Sequence, residues 1–196
     1  KTLKQNFKKV LLASTCSVYG QQNSNSKIAE HNFLKPVDGY GITKLTQEHI
    51  FRIYCNEKAI PFCAMRLGYV YGPGIHADRL VYKIINKVQN EEDITLTNGD
   101  KINLNLIHKD DAARIAFKLL KEGTGIYNVT SPKFIGLDEY LHTACELTGK
   151  NPNIKHENNN KAISHNEYSI SKLIADHQIE PIITLKEGIN SMLEHR

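Results

Sequence analysis

The sequence predicts an α/β fold built on a parallel sheet, and three observations predict it. Two short, mainly apolar runs, VLLA at 10–13 and Phe62–Leu67, flank one long stretch of helical periodicity. Runs that are apolar on both sides suit strands covered on both faces, the usual condition of a parallel sheet. Strand, long helix, strand is also the order in which parallel neighbours are joined. Finally, 196 residues with 40% hydrophobic and 23% charged content supply one sizeable core, or one and a part, and argue against disorder.

The elements follow in order. Thr2–Phe7, in the basic amphipathic opening KTLKQNFKK, reads as a helix end. After the strand at Val10–Ala13, the stretch Gln21–Asn32 is rich in Asn, Gln and Ser and reads as a loop. From Tyr40 to about Lys58 apolar residues recur at helical spacing, at Ile42, Leu45, His49/Ile50, Ile53 and Tyr54, until Pro61 stops the helix. Phe62–Leu67 is the second buried strand. Beyond Gly72-Pro73-Gly74 the pattern predicts a helix at Leu80–Val88, a short strand at Ile94–Leu96, a turn at Asn98-Gly99 and a strand at Leu104–Ile107. Asp110-Asp111 is expected to cap a helix running to Leu120. A strand at Ile126–Val129 and helices at Leu137–Leu147 and Leu185–Leu193 complete the pattern, with the polar run 151–161 as a connector.

Bulk chemistry narrows the function. The net charge of +4 is modest and its lysines are interleaved with carboxylates, so nucleic acid is not an expected partner. No apolar run reaches membrane-spanning length, so no membrane partner is expected, and no signal peptide is evident. Cys16, Cys55, Cys63 and Cys145 lie far apart, and the nine histidines form neither HxxxH nor HExxH. Metal ligation needs clustered spacing, so no metal site is expected, and free thiols fit a cytoplasmic protein.

The sharpest chemical signal is Tyr40-Gly-Ile-Thr-Lys44 at the start of the long helix. Residues i and i+4 share a helical face, so phenol and ammonium project into the same space. A phenol is a poor base at neutral pH; a neighbouring cation favours its ionised form, which can then exchange a proton with a substrate hydroxyl. Spacing alone selects nothing here, because Tyr-x-x-x-Lys recurs at Tyr54/Lys58 and Tyr168/Lys172. Any one copy could be an amphipathic tyrosine beside a solvated lysine. Context discriminates: Ser14-Thr15-Cys16-Ser17-Val18-Tyr19-Gly20 follows the first strand directly, where an α/β fold places its site.

The strings LLASTCSVYG, YGITK and RLGYVYGPG resemble the extended short-chain dehydrogenase/reductase family, in its branch of sugar-nucleotide epimerases and dehydratases. NLIHKDDAARIAF, GIYNVTSP and SISKLIADHQIEPIITLKEGI are similar to later segments of that family, in the same order. The resemblance implies a partial Rossmann-like, doubly wound parallel sheet holding only the later strands, with a smaller C-terminal α/β substrate-binding domain. It places the Rossmann part at 1–72 and mainly substrate-binding residues at 73–196, with about 102–125 returning to the Rossmann part. It implies Thr15, Tyr40 and Lys44 as catalytic residues. The same three, with Leu67 and Gly68 acting largely through backbone, would contact NAD or NADP. Ser17 and Tyr69 would contact a substrate, expected to be a nucleotide sugar; from proximity in sequence, and not from the resemblance, His76, Arg79 or Lys83 is a further candidate for that contact. A plain alternative for Thr15 is a strand-end hydroxyl serving backbone groups.

Departures from the family pattern carry information. Cys16 and Ser17 stand where dehydratases have an Asp-Glu pair, which argues against 4,6-dehydration and leaves epimerisation, oxidation or reduction. Tyr69 and Leu104 stand where the family has an asparagine and an arginine that contact the substrate diphosphate. The family's glycine-rich phosphate turn is not in this sequence. Gly72-Pro-Gly74-Ile-His-Ala77 fits GxGxxA formally, but proline removes an N–H that a phosphate would need. The chain also opens on lysine. The expectation is therefore a fragment with weak cofactor binding and no turnover alone, which pairs with a missing half or forms a homodimer to cover its exposed sheet edge. Two other outcomes stay open: a dehydrogenase or reductase on a non-nucleotide substrate, and a non-catalytic binding or regulatory module.

Overall fold

The computed structural model describes residues 7–22, 26–74, 78–159 and 166–194. The helix expected at Thr2–Phe7 falls almost wholly outside the described residues. In chain order the elements are β1 (Val10–Thr15), α1 (Gly39–Glu57), β2 (Phe62–Leu67), β3 (Tyr69–Tyr71) and α2 (Leu80–Gln89). Then come β4 (Ile94–Thr97), β5 (Asn103–Leu104), β6 (Leu106–His108), α3 (Lys109–Glu122) and β7 (Gly125–Val129). The chain closes with β8 (Ile135–Gly136), α4 (Leu137–Thr148), β9 (Ile154–Glu157), α5 (Ser171–His177) and α6 (Leu185–Glu194).

The main sheet is parallel, in the order β1-β2-β7. Side chains alternate across a strand, and the contacts show which layer each face meets. Cys63 and Met65 of β2 pack with Ile115 and Leu119 of α3 and Leu173 of α5. Arg66, next to Met65, instead meets Glu48 of α1. Helices α1 and α3 therefore cover opposite faces, the doubly wound arrangement that continuous apolar strands require. A second core gathers Val81, Ile84, Ile85 and Val88 of α2 with Leu137, Tyr140, Leu141 and Ala144 of α4 and Ile189 and Met192 of α6. Leu104 of β5 and Leu106 of β6 join this core, whereas Ile107 of β6 joins the core between the sheet and α3. β6 thus touches both cores.

Several sequence expectations are revised. The run 151–161 is not simply a connector: Ile154–Glu157 forms β9, parallel to β4. Its side chains are mostly exposed, so backbone pairing, not burial, makes the strand, and no apolar pattern announces it. Leu104–Ile107 is not one strand. Asn105 separates β5, antiparallel to β8, from β6, parallel to β3. The cap of α3 is His108, whose Nδ1 accepts from the Asp110 amide at 3.3 Å, and not the acidic pair expected there. Asp111 is buried and accepts from the amides of Ile182 and Ile183 at 3.0 and 2.8 Å, which ties the segment before α6 to α3.

Candidate active site

A cleft of about 460 Å³ opens at the C-terminal ends of β1 and β2. Parallel sheets present their strand ends and following turns there, so this is where the fold can gather polar groups. One wall is the end of β1 and the turn after it, Ala13 to Ser17. Tyr40 and Lys44, on the first turns of α1, form the next wall. Leu67 to Val70, at the β2–β3 junction, face them, and Arg79, Asn103, Leu104, Asn105 and Tyr168 complete the lining.

The start of α1 is fixed by its own sequence. Asp38, in extended conformation, accepts from the Gly41 amide at 2.7 Å and caps the helix. Gly41 has no room for a side chain, since a Cβ there would lie 2.8 Å from the Ser17 carbonyl oxygen. That close approach brings Tyr40, still 58% exposed, up to the Ser17 turn. One turn on, the Lys44 ammonium lies 5.9 Å from the Tyr40 ring centroid and donates to the Ala13 carbonyl at 2.9 Å. Thr15, 7% exposed, accepts from the Ser17 amide and donates to Ser17 Oγ, both at 3.2 Å. Its hydroxyl thus does the strand-end backbone work weighed from the sequence while lying on the cleft wall. Cys16 is buried and its Sγ donates to the Arg66 carbonyl at 3.2 Å; burial pushes the thiol well up, so it stays protonated and inert.

The sequence-predicted residues Thr15, Ser17, Tyr40, Lys44, Leu67, Gly68, Tyr69 and Arg79 all line this one cleft. His76 lies outside the described residues. Of the three Tyr-x-x-x-Lys copies, only Tyr40 and Lys44 reach the cleft together. Tyr168 also lines it, but Lys172 is turned to the Ile126 carbonyl at 2.8 Å. Tyr69 is tied into the scaffold: its hydroxyl accepts from the Leu80 amide at 3.1 Å, and the Arg79 guanidinium lies 5.6 Å from its ring. Gly68 donates its amide to the Val129 carbonyl at 3.0 Å, so that N–H is already used.

Asn103, Asn105 and Tyr168 escaped the sequence reading. Tyr168 arrives from far along the chain, where Ile28 and Tyr168 form a parallel bridge and Asn105 Nδ2 donates to the Asn166 carbonyl at 2.7 Å. No local pattern signals such a visit. The asparagines flanking Leu104 in NLN could have been flagged by the break they make in an apolar strand. Among the described residues, no group of three or more His, Cys, Asp or Glu is placed to hold a metal, and no helix is long and apolar enough to cross a membrane.

The model of the NAD dependent epimerase/dehydratase family matches residues 2–130, about two-thirds of the chain. The chain belongs to that family. The uncharacterized UDP-glucose epimerase YtcB of Bacillus subtilis is 34% identical over 86 residues, 44% of this chain and 27% of that protein. The UDP-glucuronate 4-epimerase of Thermodesulfobacterium geofontis is 28% identical over 188 residues, 93% of this chain and 57% of that one. The solved UDP-glucuronic acid 4-epimerase of Bacillus cereus in complex with NAD superposes with a TM-score of 0.85 at 22% identity, over 95% of this chain and 60% of the epimerase. The chain thus spans less than two-thirds of the length of each of these proteins. The fold is shared, and members of the family are NAD-dependent.

Proposed function

We propose that the cleft is the catalytic centre of an NAD(P)-dependent, epimerase-type enzyme that oxidises and reduces a carbon of a nucleotide sugar. The observation that carries this reading is the convergence of Thr15, Tyr40 and Lys44, from a strand end and a helix start, on one cleft. The residues present fit the nicotinamide–ribose end of the cofactor. Lys44 can hold ribose hydroxyls with the donors it does not spend on Ala13, and Leu67 with the backbone at Gly68 offers a mainly apolar surface for a flat ring. NAD bound there supplies the two-electron acceptor.

The chain's own groups do the rest. Tyr40 takes the proton of the sugar hydroxyl, with the Lys44 ammonium beside it on the same helical face. Thr15 can hydrogen-bond the same oxygen once it turns from Ser17. The described cleft lining holds no Asp or Glu, whereas Lys44 and Arg79 both line it. That charge balance suits an anionic substrate such as a sugar diphosphate ester. It also leaves no carboxyl group to expel a hydroxyl, which disfavours dehydration and supports epimerisation.

One observation favours a reductase or dehydrogenase on a non-nucleotide substrate. Tyr69 and Leu104 offer no bidentate phosphate contact, Tyr69 being held at the start of α2 and Leu104 buried. NMR of the chain with millimolar NADH, UDP-glucuronate or a simple hydroxy acid separates the readings. The expected result is shifts centred on Thr15, Tyr40, Lys44 and Arg79 with NADH and with the UDP-sugar, but not with the hydroxy acid. Any interconversion of the UDP-sugar detected with oxidised NAD in place of NADH should fall about 10²–10⁴-fold in Tyr40→Phe, with binding retained. Shifts confined elsewhere, or turnover undiminished in Tyr40→Phe, would overturn the proposal.

A further inference from the structure

Ser14, Arg66 and Asn128 stand opposite one another in register across β1, β2 and β7, a polar row through the middle of the main sheet. All three are buried, at 2%, 1% and 0% exposure. Glu48 enters the row from α1 and is 4% exposed. Its carboxylate takes Nε and Nη2 of Arg66 at 3.1 and 2.9 Å, and Ser14 donates its hydroxyl to the same carboxylate. Arg66 Nη1 donates to the Tyr19 hydroxyl at 2.9 Å, and Tyr19 donates onward to Asn128 Oδ1 at 2.7 Å. Asn128 Nδ2 ends the chain on the carbonyls of Ile28 and Ser169.

Stability alone is a weak reason to keep such a row, because a buried ion pair commonly does no better than well-packed apolar residues of the same volume. Its position offers another reason. Glu48 lies one turn beyond Lys44 and two beyond Tyr40 on the same helical face, and Ser14 lies between Ala13, which accepts from Lys44, and Thr15. We propose that Glu48 and Ser14 are positioning residues. Clamped by Arg66, the Glu48 carboxylate locks the end of β1 to α1, so that the Ala13 carbonyl meets Lys44, and Thr15 and Tyr40 line one cleft. The functional half of this proposal rests on the reaction proposed above. Its geometrical half does not.

The test therefore needs neither cofactor nor sugar. In the full chain carrying 13C-labelled lysine, NMR relaxation reports how rigid the end of the Lys44 side chain is, with Lys44 assigned through Lys44→Arg. The expected wild-type result is a Lys44 Cε markedly more ordered than that of exposed Lys58. Ser14→Ala, which leaves the Glu48–Arg66 pair intact, should loosen Lys44 to the Lys58 level, and Ser14→Thr, which keeps the hydroxyl, should restore it. If single charge removal at Glu48 unfolds the chain, the double variant Glu48→Met/Arg66→Met removes both charges together and should give the same loosening. Unchanged Lys44 order in Ser14→Ala and in the double variant would overturn the proposal. So would a loosening shared equally by Lys172, which is held at the opposite side of the sheet and would report general softening. Loosening at Lys44 with no ligand shifts at the cleft would uphold the clamp and count against the reaction.

Discussion

A Cβ added at Gly68 would stand 2.5 Å from both the Asn105 carbonyl oxygen and Thr130 Oγ1. One of these is backbone and the other a fully buried side chain, so neither yields cheaply. Gly68→Ala is expected to cost about 1–3 kcal/mol through overpacking, read as a lower urea midpoint at unchanged slope. An unchanged midpoint would mean that the β2–β3 junction relaxes more easily than its contacts imply. The glycine is thus explained by protein packing whether or not a cofactor approaches it. Tyr19 shows the same economy at one side chain: burial pushes its phenol up to about 12, against the pull of Arg66, so it keeps the proton that it donates to Asn128.

At the scale of elements, α1 is the part on which the proposed site depends most, because one helix carries Tyr40 and Lys44 of the cleft and the buried Glu48. Its start is set by a single side-chain acceptor, Asp38 on the Gly41 amide. Asp38→Ala should lower stability by about 0.5–2 kcal/mol, whereas Asp38→Asn, still a good cap, should lose much less. Thermal melts of the two variants check this, and equal losses would count against the cap. The fraying expected of the alanine variant falls on the turn that holds Tyr40. Amide exchange at 41–45 should therefore quicken more than exchange at 50–55.

Over the whole molecule, His108 sits where the two cores meet. It is 3% exposed, caps α3 through Nδ1, and its Nε2 lies 3.1 Å from Ser191 Oγ of α6. Its Nδ1 is used as an acceptor, so the neutral ring serves both contacts and protonation would break the cap. Burial pushes His108 below its ordinary 6.5, with the carboxylates of Asp110 and Asp111 opposing. A lowered folded-state value means that the unfolded chain takes up the proton first. The contribution is therefore fully present above pH 6.5 and is lost as pH falls from there through the folded-state value. The melting temperature should drop between pH 7 and pH 5. His108→Asn, which keeps a capping acceptor that does not titrate, should flatten that part of the profile; an equal drop in the variant would place the pH dependence elsewhere.

What could be read from the sequence was local. Apolar runs marked β1, β2 and β7, helical periodicity marked α1, and the i, i+4 spacing of Tyr40 and Lys44 needed only one helix to put both on one face. The turn Ser14–Gly20 after a strand pointed to the strand end where the cleft opens. What only the tertiary structure decided was set by contacts between distant residues. Spacing alone does not distinguish Tyr40/Lys44 from Tyr168/Lys172; in the fold Lys44 meets Ala13 across the cleft wall while Lys172 meets Ile126. Arg66 interrupts an otherwise apolar strand, and it is the residue that the buried Glu48 requires. A buried charge needs its partner in space, and the partner here lies eighteen residues away on another element.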